Sequence, residues 1–115
     1  MELVMYIVIN KDLGMSIGKT AAQACHACTE YLMHTLQNGT EEEVAILNQW
    51  HKNAQKKIIL RANEKTMHKL ESNENHFPIY DLGLTEIAPN SLTAICLGIY
   101  DKSSIPSNIK RLQVL

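Results

Sequence analysis

The feature that constrains the fold most is the uninterrupted apolar run Leu-Val-Met-Tyr-Ile-Val-Ile at residues 3–9. The run is rich in β-branched residues and lacks the polar alternation of a half-exposed strand, so it predicts a strand buried on both faces. Such a strand belongs at the centre of a sheet, with helices above and below it. The run therefore favours an α/β fold with helices on both faces of the sheet.

The rest of the chain alternates helix and strand patterns that fit this layered arrangement. Residues 19–37 are predicted as a helix, and Gly39 after it suits a left-handed cap. Thr40 and Glu43 have capping-box spacing and open a second predicted helix at 41–54. The later elements are, in order, a strand at 56–62, a helix at 63–75 capped by Asn63, an extended segment at 77–83 that turns at Gly83, a strand at 92–100, and a tail at 103–115 without a clear pattern. The sequence predicts a sheet of three or four strands.

Length and composition limit the classes of protein. At 115 residues the chain is expected to form one domain, 1–115. Its apolar runs are shorter than the roughly 18 residues of a membrane span, and its first residues lack the basic segment of an export signal. Three cysteines in such a chain predict reduced thiols, a cytoplasmic location and no membrane contact. Because the net charge is −1, any nucleic-acid binding must come from a local patch.

A glycine-containing segment at 12–20 directly follows the predicted central strand. Gly14 and Gly18 are separated by three residues, whereas a nucleotide-binding loop needs four, and the next apolar strand carries Arg61 where a metal-binding aspartate would end it. These departures argue against a nucleotide site. A loop that leads from a buried strand into a helix start still places backbone N–H groups and a positive dipole at the carboxyl edge of the sheet, where ligands often bind.

Helical spacing places Lys19, Gln23 and His26 on one polar stripe of the first predicted helix. The stripe is either a set of solvated side chains or one wall of a ligand site, and spacing alone leaves both interpretations open. A neighbouring stripe of small and apolar residues is expected to pack on the sheet, and it consists of Ala22, Cys25, Cys28 and Leu32.

The Cys-x-x-Cys spacing of Cys25 and Cys28 also raises the question of a redox or zinc site. A redox pair normally lies at a helix N-terminus, which lowers the thiol pKa, but this pair begins about two turns inside the predicted helix. A zinc site needs two more ligands, and Cys96 has no nearby partner in the sequence. We therefore expect small buried residues and no metal.

A second polar segment lies between the last two predicted strands. Asp81 stands where an extended segment enters a glycine turn, and hydroxyls follow at Thr85, Ser91 and Thr93. A carboxylate and hydroxyls on such a loop can reach the sheet edge near Lys19 and supply a base, donors and a cation to one cleft. Asp81 as a turn cap and Thr93 as an ordinary strand residue remain the alternatives.

Taken together, the segments DLGMSIGKTAAQACHA at 12–27 and DLGLTEIAPNSLTAICLG at 81–98 closely resemble the type II peptidyl-tRNA hydrolase family. The first family block typically reads Asp-Leu-x-Met-x-Lys-Gly-Lys-x-Ala-Ala-Gln-x-x-His-Ala. The second reads Asp-Ala-Gly-x-Thr-x-Ile-x-x-Gly-x-x-Thr and runs into a strand that ends Gly-Pro. The resemblance covers nearly the whole chain in length and element order.

The resemblance implies a three-layer αβα sandwich with a mixed four-stranded sheet, and usually a homodimer. It implies hydrolysis of the ester that joins a peptide to the terminal ribose of tRNA, without metal or cofactor. By motif position the catalytic residues are Lys19, Asp81, Thr85 and Thr93, and the expected substrate contacts are Asn10, Lys11, Gly18, Gln23 and His26. In this assignment Asp81 orients or deprotonates water, while Lys19 stabilises the oxyanion or binds the terminal phosphate.

Five positions depart from the family pattern, and two of them remove cations. They are Ile17 for lysine, Asn10 for arginine, Leu82 for alanine, Asn90 for glycine and Ile99 for proline. Fewer cations predict weaker phosphate contacts with tRNA. The alternative function is therefore a binding module of the same fold that recognises another acylated or nucleotide-bearing ligand, and a thiol redox or metal protein is a more distant third.

Overall fold

A computed structural model describes residues 1–82 and 87–115 and contains one mixed sheet between two layers of helices. The elements are β1 (Leu3–Asn10), α1 (Ile17–Asn38), α2 (Glu41–Lys52), β2 (Lys57–Ala62), α3 (Glu64–Glu71), β3 (Phe77–Tyr80), β4 (Leu92–Asp101), α4 (Ser107–Lys110) and β5 (Gln113–Val114), with 3₁₀ turns at Lys11–Leu13 and Lys102–Ser104. The strand order is β3-β4-β1-β2-β5. The predicted α/β class is confirmed.

The sheet has five strands because the C-terminal tail supplies one that the sequence pattern does not reveal. Strand β1 pairs in parallel with β2 and antiparallel with β4, and β3 pairs antiparallel with β4. The two residues of β5 pair antiparallel with Leu60 and Arg61 of β2. A two-residue strand is too short to show the alternation by which strands are recognised.

Strand β1 is the centre of the molecule, as its sequence predicts, and all eight of its residues are buried. Alternate side chains enter two separate cores: Val4, Tyr6 and Val8 on one face, and Leu3, Met5, Ile7 and Ile9 on the other. The second core is completed by α1 and α2, and the first by α3 and α4. The helices therefore cover both faces of the sheet.

Helix α1 packs on the sheet with part of the stripe that the sequence predicts, since Cys28 and Leu32 contact the core beneath it. Its buried side chains are Gln23, Ala27 and Thr35. Ala22 and Cys25, which were expected to pack on the sheet, are exposed. The prediction is confirmed for Cys28 and Leu32 and wrong for the other two, because the helix is rotated toward the side that carries Gln23.

Gly39 ends α1 in a way that the sequence did not predict. Its φ of −73° and ψ of 158° are extended, so the expected left-handed cap is wrong. Its N–H donates to the Thr35 carbonyl oxygen at 2.9 Å, and a Cβ added here would lie 2.5 Å from that same oxygen. Glycine is required because the backbones approach closely.

The other predicted caps are confirmed. In α2 the Thr40 hydroxyl accepts from the Glu43 N–H at 3.1 Å, and the Glu43 carboxylate accepts from the Thr40 N–H at 2.9 Å. Asn63 accepts from the Thr66 N–H at the start of α3. Within the described residues, no helix combines the length and the apolar character needed to cross a bilayer.

We expect Gly39→Ala to lower the free energy of unfolding by about 1–3 kcal/mol, since the new methyl group must displace the Thr35 carbonyl. Urea unfolding measures the effect. The matched control is Gly18→Ala in the first turn of α1, where an added Cβ has no neighbour within 4 Å and alanine is the better helix former. Equal midpoints for the two variants would contradict the assigned role of Gly39.

Candidate active site

The cleft begins at the carboxyl end of β1, where a short loop turns the chain into α1. The turn Lys11–Leu13 ends at Gly14, whose φ of 58° is left-handed and suits a residue without a side chain. The Ser16 hydroxyl then accepts from the Lys19 N–H at 3.2 Å and caps α1. This geometry fixes Lys19 in the first turn of the helix.

Lys19 and Asp81 form an ion pair between α1 and the segment that follows β3. Both side chains are largely removed from solvent, with 11% and 5% of their surface exposed. The backbone around Asp81 is held to the next strand, since its N–H donates to the Ser91 carbonyl at 2.9 Å and its carbonyl accepts from the Asn90 N–H at 2.7 Å. Residues 62 positions apart in sequence are thus fixed in one site.

Thr93 and Gln23 form a buried hydrogen bond beside this pair. The Thr93 hydroxyl lies 2.6 Å from Gln23 Oε1 and 3.2 Å from the Ile79 carbonyl oxygen. Neither Thr93 nor Gln23 has more than 4% of its surface exposed. A buried amide and a buried hydroxyl satisfy each other here, which fixes the orientation of both.

A β-bulge turns Thr93 toward α1. The register between β3 and β4 shifts so that Tyr80 pairs with Leu92 and Ile79 with Ala94, which leaves Thr93 as an extra residue. Leu92 therefore lies in the core under α3, and Ala94 lies in the core under α1. Regular alternation would have put both on one face.

Lys19, Gln23 and Asp81 line a cleft of about 560 Å³ between α1 and the edge strand β3. Its lining consists of Lys19, Gln23, His26, Thr29, Glu30, Pro78, Ile79, Tyr80, Asp81 and Leu82. The predicted polar stripe of α1 therefore forms one wall, and the segment that contains Asp81 forms the other.

The structure does not bring every candidate residue into this cleft. Asn10 is buried, and its side-chain amide donates to Glu64 Oε2 at 2.6 Å and to the Leu92 carbonyl at 2.9 Å. Lys11 and Gly18 are exposed but do not line the cleft. Thr85 lies outside the described residues. The catalytic role of Thr85 and the substrate contacts of Asn10, Lys11 and Gly18 stay predictions.

The sequence pattern does not reveal the β3 side of the cleft, above all Tyr80. Tyr80 is among the residues that line the cleft and is 45% exposed, although it belongs to a strand. The sequence signal that could have identified Tyr80 as a cleft residue is its position directly before Asp81. Strand alternation alone does not say which side of an edge strand faces a cleft.

The cysteines occupy three different environments. Cys25 is exposed, Cys28 is half-buried and Cys96 is buried, so the expectation of small buried residues was wrong for Cys25. Burial raises the pKa of Cys28 and raises that of Cys96 to about 12. In residues 1–82 and 87–115 no three His, Cys, Asp or Glu side chains are grouped closely enough to bind a metal ion.

A carboxylate can activate water and a neighbouring ammonium group can stabilise an oxyanion, so this pair in a cleft of a small α/β domain is compatible with a hydrolase. The family model described as "Peptidyl-tRNA hydrolase PTH2" matches residues 3–115. The chain belongs to this family, and the predicted resemblance is confirmed.

Curated relatives agree with the family over most of the chain. A Methanococcus maripaludis protein named peptidyl-tRNA hydrolase is 36% identical over 115 residues, which cover 95% of this chain and 96% of the relative. A Pyrobaculum aerophilum protein of the same name is 36% identical and covers 85% of each chain. Peptidyl-tRNA hydrolase 2 of Saccharomyces cerevisiae is also 36% identical, over 84% of this chain and 50% of its own length.

Replacing Thr93 by valine, which has a similar shape, tests the buried hydrogen bond. We expect Thr93→Val to lower the free energy of unfolding by about 1–3 kcal/mol, because Gln23 Oε1 loses its donor in a dry site. Thr93→Ser keeps the hydroxyl and should lose less. Urea unfolding compares the two, and a valine variant more stable than the serine variant would contradict the assignment.

Proposed function

We propose that this chain hydrolyses the ester bond of peptidyl-tRNA in the cleft between α1 and β3, releasing peptide and free tRNA. The observation that carries the proposal is the buried ion pair of Lys19 and Asp81 at the end of this cleft. Family membership and the names of the relatives support the same activity. They also support tRNA as the partner.

In the proposed reaction, Asp81 orients a water molecule and accepts its proton as the water oxygen attacks the ester carbonyl carbon. The carbonyl oxygen becomes an oxyanion. Lys19 carries three N–H donors, so it can keep its bond to Asp81 and donate another to this oxyanion. Collapse breaks the bond between the acyl carbon and the ribose oxygen, which takes the proton from Asp81.

The surrounding side chains position this pair and the substrate. The Thr93 hydroxyl bonds to Gln23 and to the carbonyl of Ile79, which lies two residues before Asp81. Thr93 thereby supports the segment that carries the Asp81 carboxylate. His26 lines the cleft one turn beyond Gln23 and is proposed to contact substrate. Thr85, four residues after Asp81 in the family motif, is proposed as a second hydroxyl that holds the aspartate or the water.

Lys19 is paired with Asp81, so contacts with the tRNA phosphates need other cations. Lys11 is exposed next to the loop that leads into the site, and we propose that it and the exposed backbone at Gly18 contact the acceptor end. Lys56 is paired with Glu2, and Lys57 stacks over Trp50, both at the opposite end of β2. These two lysines therefore do not extend the cleft's positive charge.

The outer face of α1 supports a homodimer. Ala22, Cys25, Met33 and Leu36 fall within an arc of about 80° on the helix, and all four are exposed. Met33 and Leu36 are 49% and 57% exposed. A stripe of small and apolar residues on a long helix can pack against the same stripe of a second copy. A tRNA substrate and free thiols likewise support a cytoplasmic location.

We expect Lys19→Ala and Asp81→Asn each to lower the rate of peptidyl-tRNA hydrolysis at least about tenfold, because each removes one member of the reacting pair. Release of a labelled peptide from purified peptidyl-tRNA measures the rate, and circular dichroism checks the fold. Lys69→Ala and Glu74→Gln, at exposed positions outside the cleft, are the matched controls.

Two outcomes would overturn the proposal. Near-normal rates in both variants would exclude the pair from the chemistry, and no hydrolysis by the natural chain at low salt would favour a binding module. The rate at low substrate concentration should also fall as salt rises, since phosphate contacts release counterions.

Sedimentation velocity tests the dimer. We expect the natural chain to sediment as a dimer and Met33→Glu to sediment as a monomer at the same concentration, because the carboxylate would be buried in the shared stripe. Val114→Glu is the control, since Val114 is 66% exposed at the far edge of the sheet. A natural chain that is monomeric at all concentrations would exclude the interface.

A further inference from the structure

Asn10, the last residue of β1, is a buried polar side chain that neither the apolar cores nor the proposed reaction uses. Only 1% of its surface is exposed, and it does not line the cleft. Its Nδ2 group donates to Glu64 Oε2 at 2.6 Å and to the Leu92 carbonyl oxygen at 2.9 Å, while its Oδ1 accepts from the Asp12 N–H at 3.1 Å. Both the donor and the acceptor end of the amide are engaged, which fixes the side chain in one orientation.

The three bonds join three separate elements to the end of β1. Glu64 is the first residue of α3, Leu92 is the first residue of β4, and Asp12 lies in the 3₁₀ turn that leads toward α1. The Glu64 N–H also donates to Asp12 Oδ2 at 2.8 Å and links two of these partners directly. Asn10 is therefore the residue at which this edge of the sheet is held together.

Asn10 also continues the contact between β1 and β4 past the end of their backbone ladder. That ladder ends with the pair Ile9 and Ala94, and Asn10 itself pairs with Ala62 of β2 on the other side of β1. The side-chain bond from Asn10 to the Leu92 carbonyl carries the connection on to the first residue of β4.

The residues just before Leu92 hold Asp81 in place. The Asp81 N–H donates to the Ser91 carbonyl at 2.9 Å, and the Asp81 carbonyl accepts from the Asn90 N–H at 2.7 Å. Because Asn10 fixes the peptide group at Leu92, it restricts the adjoining backbone at Ser91 and, through that backbone, Asp81.

We infer that Asn10 is a positioning residue for the ion pair of Lys19 and Asp81. It fixes the start of β4 through Leu92, and it fixes the turn that leads into α1 through its bond to Asp12. The first segment holds Asp81, and the second leads to the helix that carries Lys19. The inference rests on the proposed function, in which this pair activates water. Asn10 acts through these segments and not on the reacting atoms.

Two alanine variants separate the Leu92 bond from the rest of this network. Asn10→Ala and Glu64→Ala both remove the bond between Asn10 Nδ2 and Glu64 Oε2, but only Asn10→Ala removes the bond to the Leu92 carbonyl. Glu64→Ala is therefore the matched control. If circular dichroism shows Asn10→Ala to be unfolded, Asn10→Ser, which leaves a hydroxyl in place of the amide, replaces it in each comparison.

Hydrogen exchange of the Asp81 amide in the free protein, followed by NMR, is the first measurement. We expect Asn10→Ala to speed this exchange at least about fivefold relative to Glu64→Ala, because loss of the buried bond to Leu92 makes local opening of the contact between Asp81 and Ser91 easier. Amides in the middle of β2 should change equally in the two variants, since both leave the ladder of that strand intact.

Hydrolysis of a labelled peptidyl-tRNA is the second measurement. We expect Asn10→Ala to lower kcat at least about fivefold and to keep KM within about twofold, because a misplaced pair stabilises the transition state less while substrate contacts remain. Glu64→Ala should keep kcat within about twofold of the natural chain. In an Asp81→Asn background, Asn10→Ala should lower the remaining rate by less than about twofold, since its effect passes through Asp81.

Equal exchange of the Asp81 amide in the two variants, or equal kcat, would overturn the positioning role. A full further loss of rate in the Asp81→Asn background would also overturn it, because Asn10 would then affect the rate by another route. A rise in KM alone, with exchange of the Asp81 amide unchanged, would assign Asn10 to substrate contact instead. These results leave the proposed function standing, whereas absence of hydrolysis by the natural chain overturns the proposed function and this inference with it.

Discussion

Burial of β1 on both faces is the constraint on which the rest of the structure depends. A strand with apolar residues at seven successive positions, 3–9, cannot leave either face in water, and helices supply the two covering layers. Fully burying one such side chain contributes about 1.5–3 kcal/mol. Because β1 is fixed at the centre, its carboxyl end, the loop to α1 and the start of that helix are fixed at one edge of the sheet.

The ion pair of Lys19 and Asp81 lies at this edge, between the start of α1 and the segment after β3. Removing two charges from water is costly, and their attraction offsets that cost only when the geometry is held by the surroundings. Here α1 is fixed by its cap at Ser16, and the segment after β3 is fixed by the hydrogen bonds of Asp81 to residues 90 and 91. In the proposed reaction, a charge pair held in this way needs no rearrangement before it activates water.

The rotation of α1 about its axis determines both which of its residues line the cleft and which are exposed on its outer face. Turning Lys19 and Gln23 inward places Ala27 and Thr35 on the sheet and leaves the stripe from Ala22 to Leu36 outside. The same rotation therefore builds the cleft wall and exposes the face proposed for a second copy. Ala24, Tyr31 and Leu32 pack on the core under this face, and Gln23 at its margin bonds to Thr93.

The sequence by itself determined the double-sided strand, the order of the helices and strands from 3 to 101, the caps at Thr40 and Asn63, and the two polar segments that contain Lys19 and Asp81. These depend on local periodicity and on capping chemistry, which act over a few residues. Only the tertiary structure decided the contact between Lys19 and Asp81, the bulge that turns Thr93 toward Gln23, the burial of Asn10, the close approach at Gly39 and the pairing of β5. Each of these depends on which distant backbone lies opposite, and local patterns carry no such information.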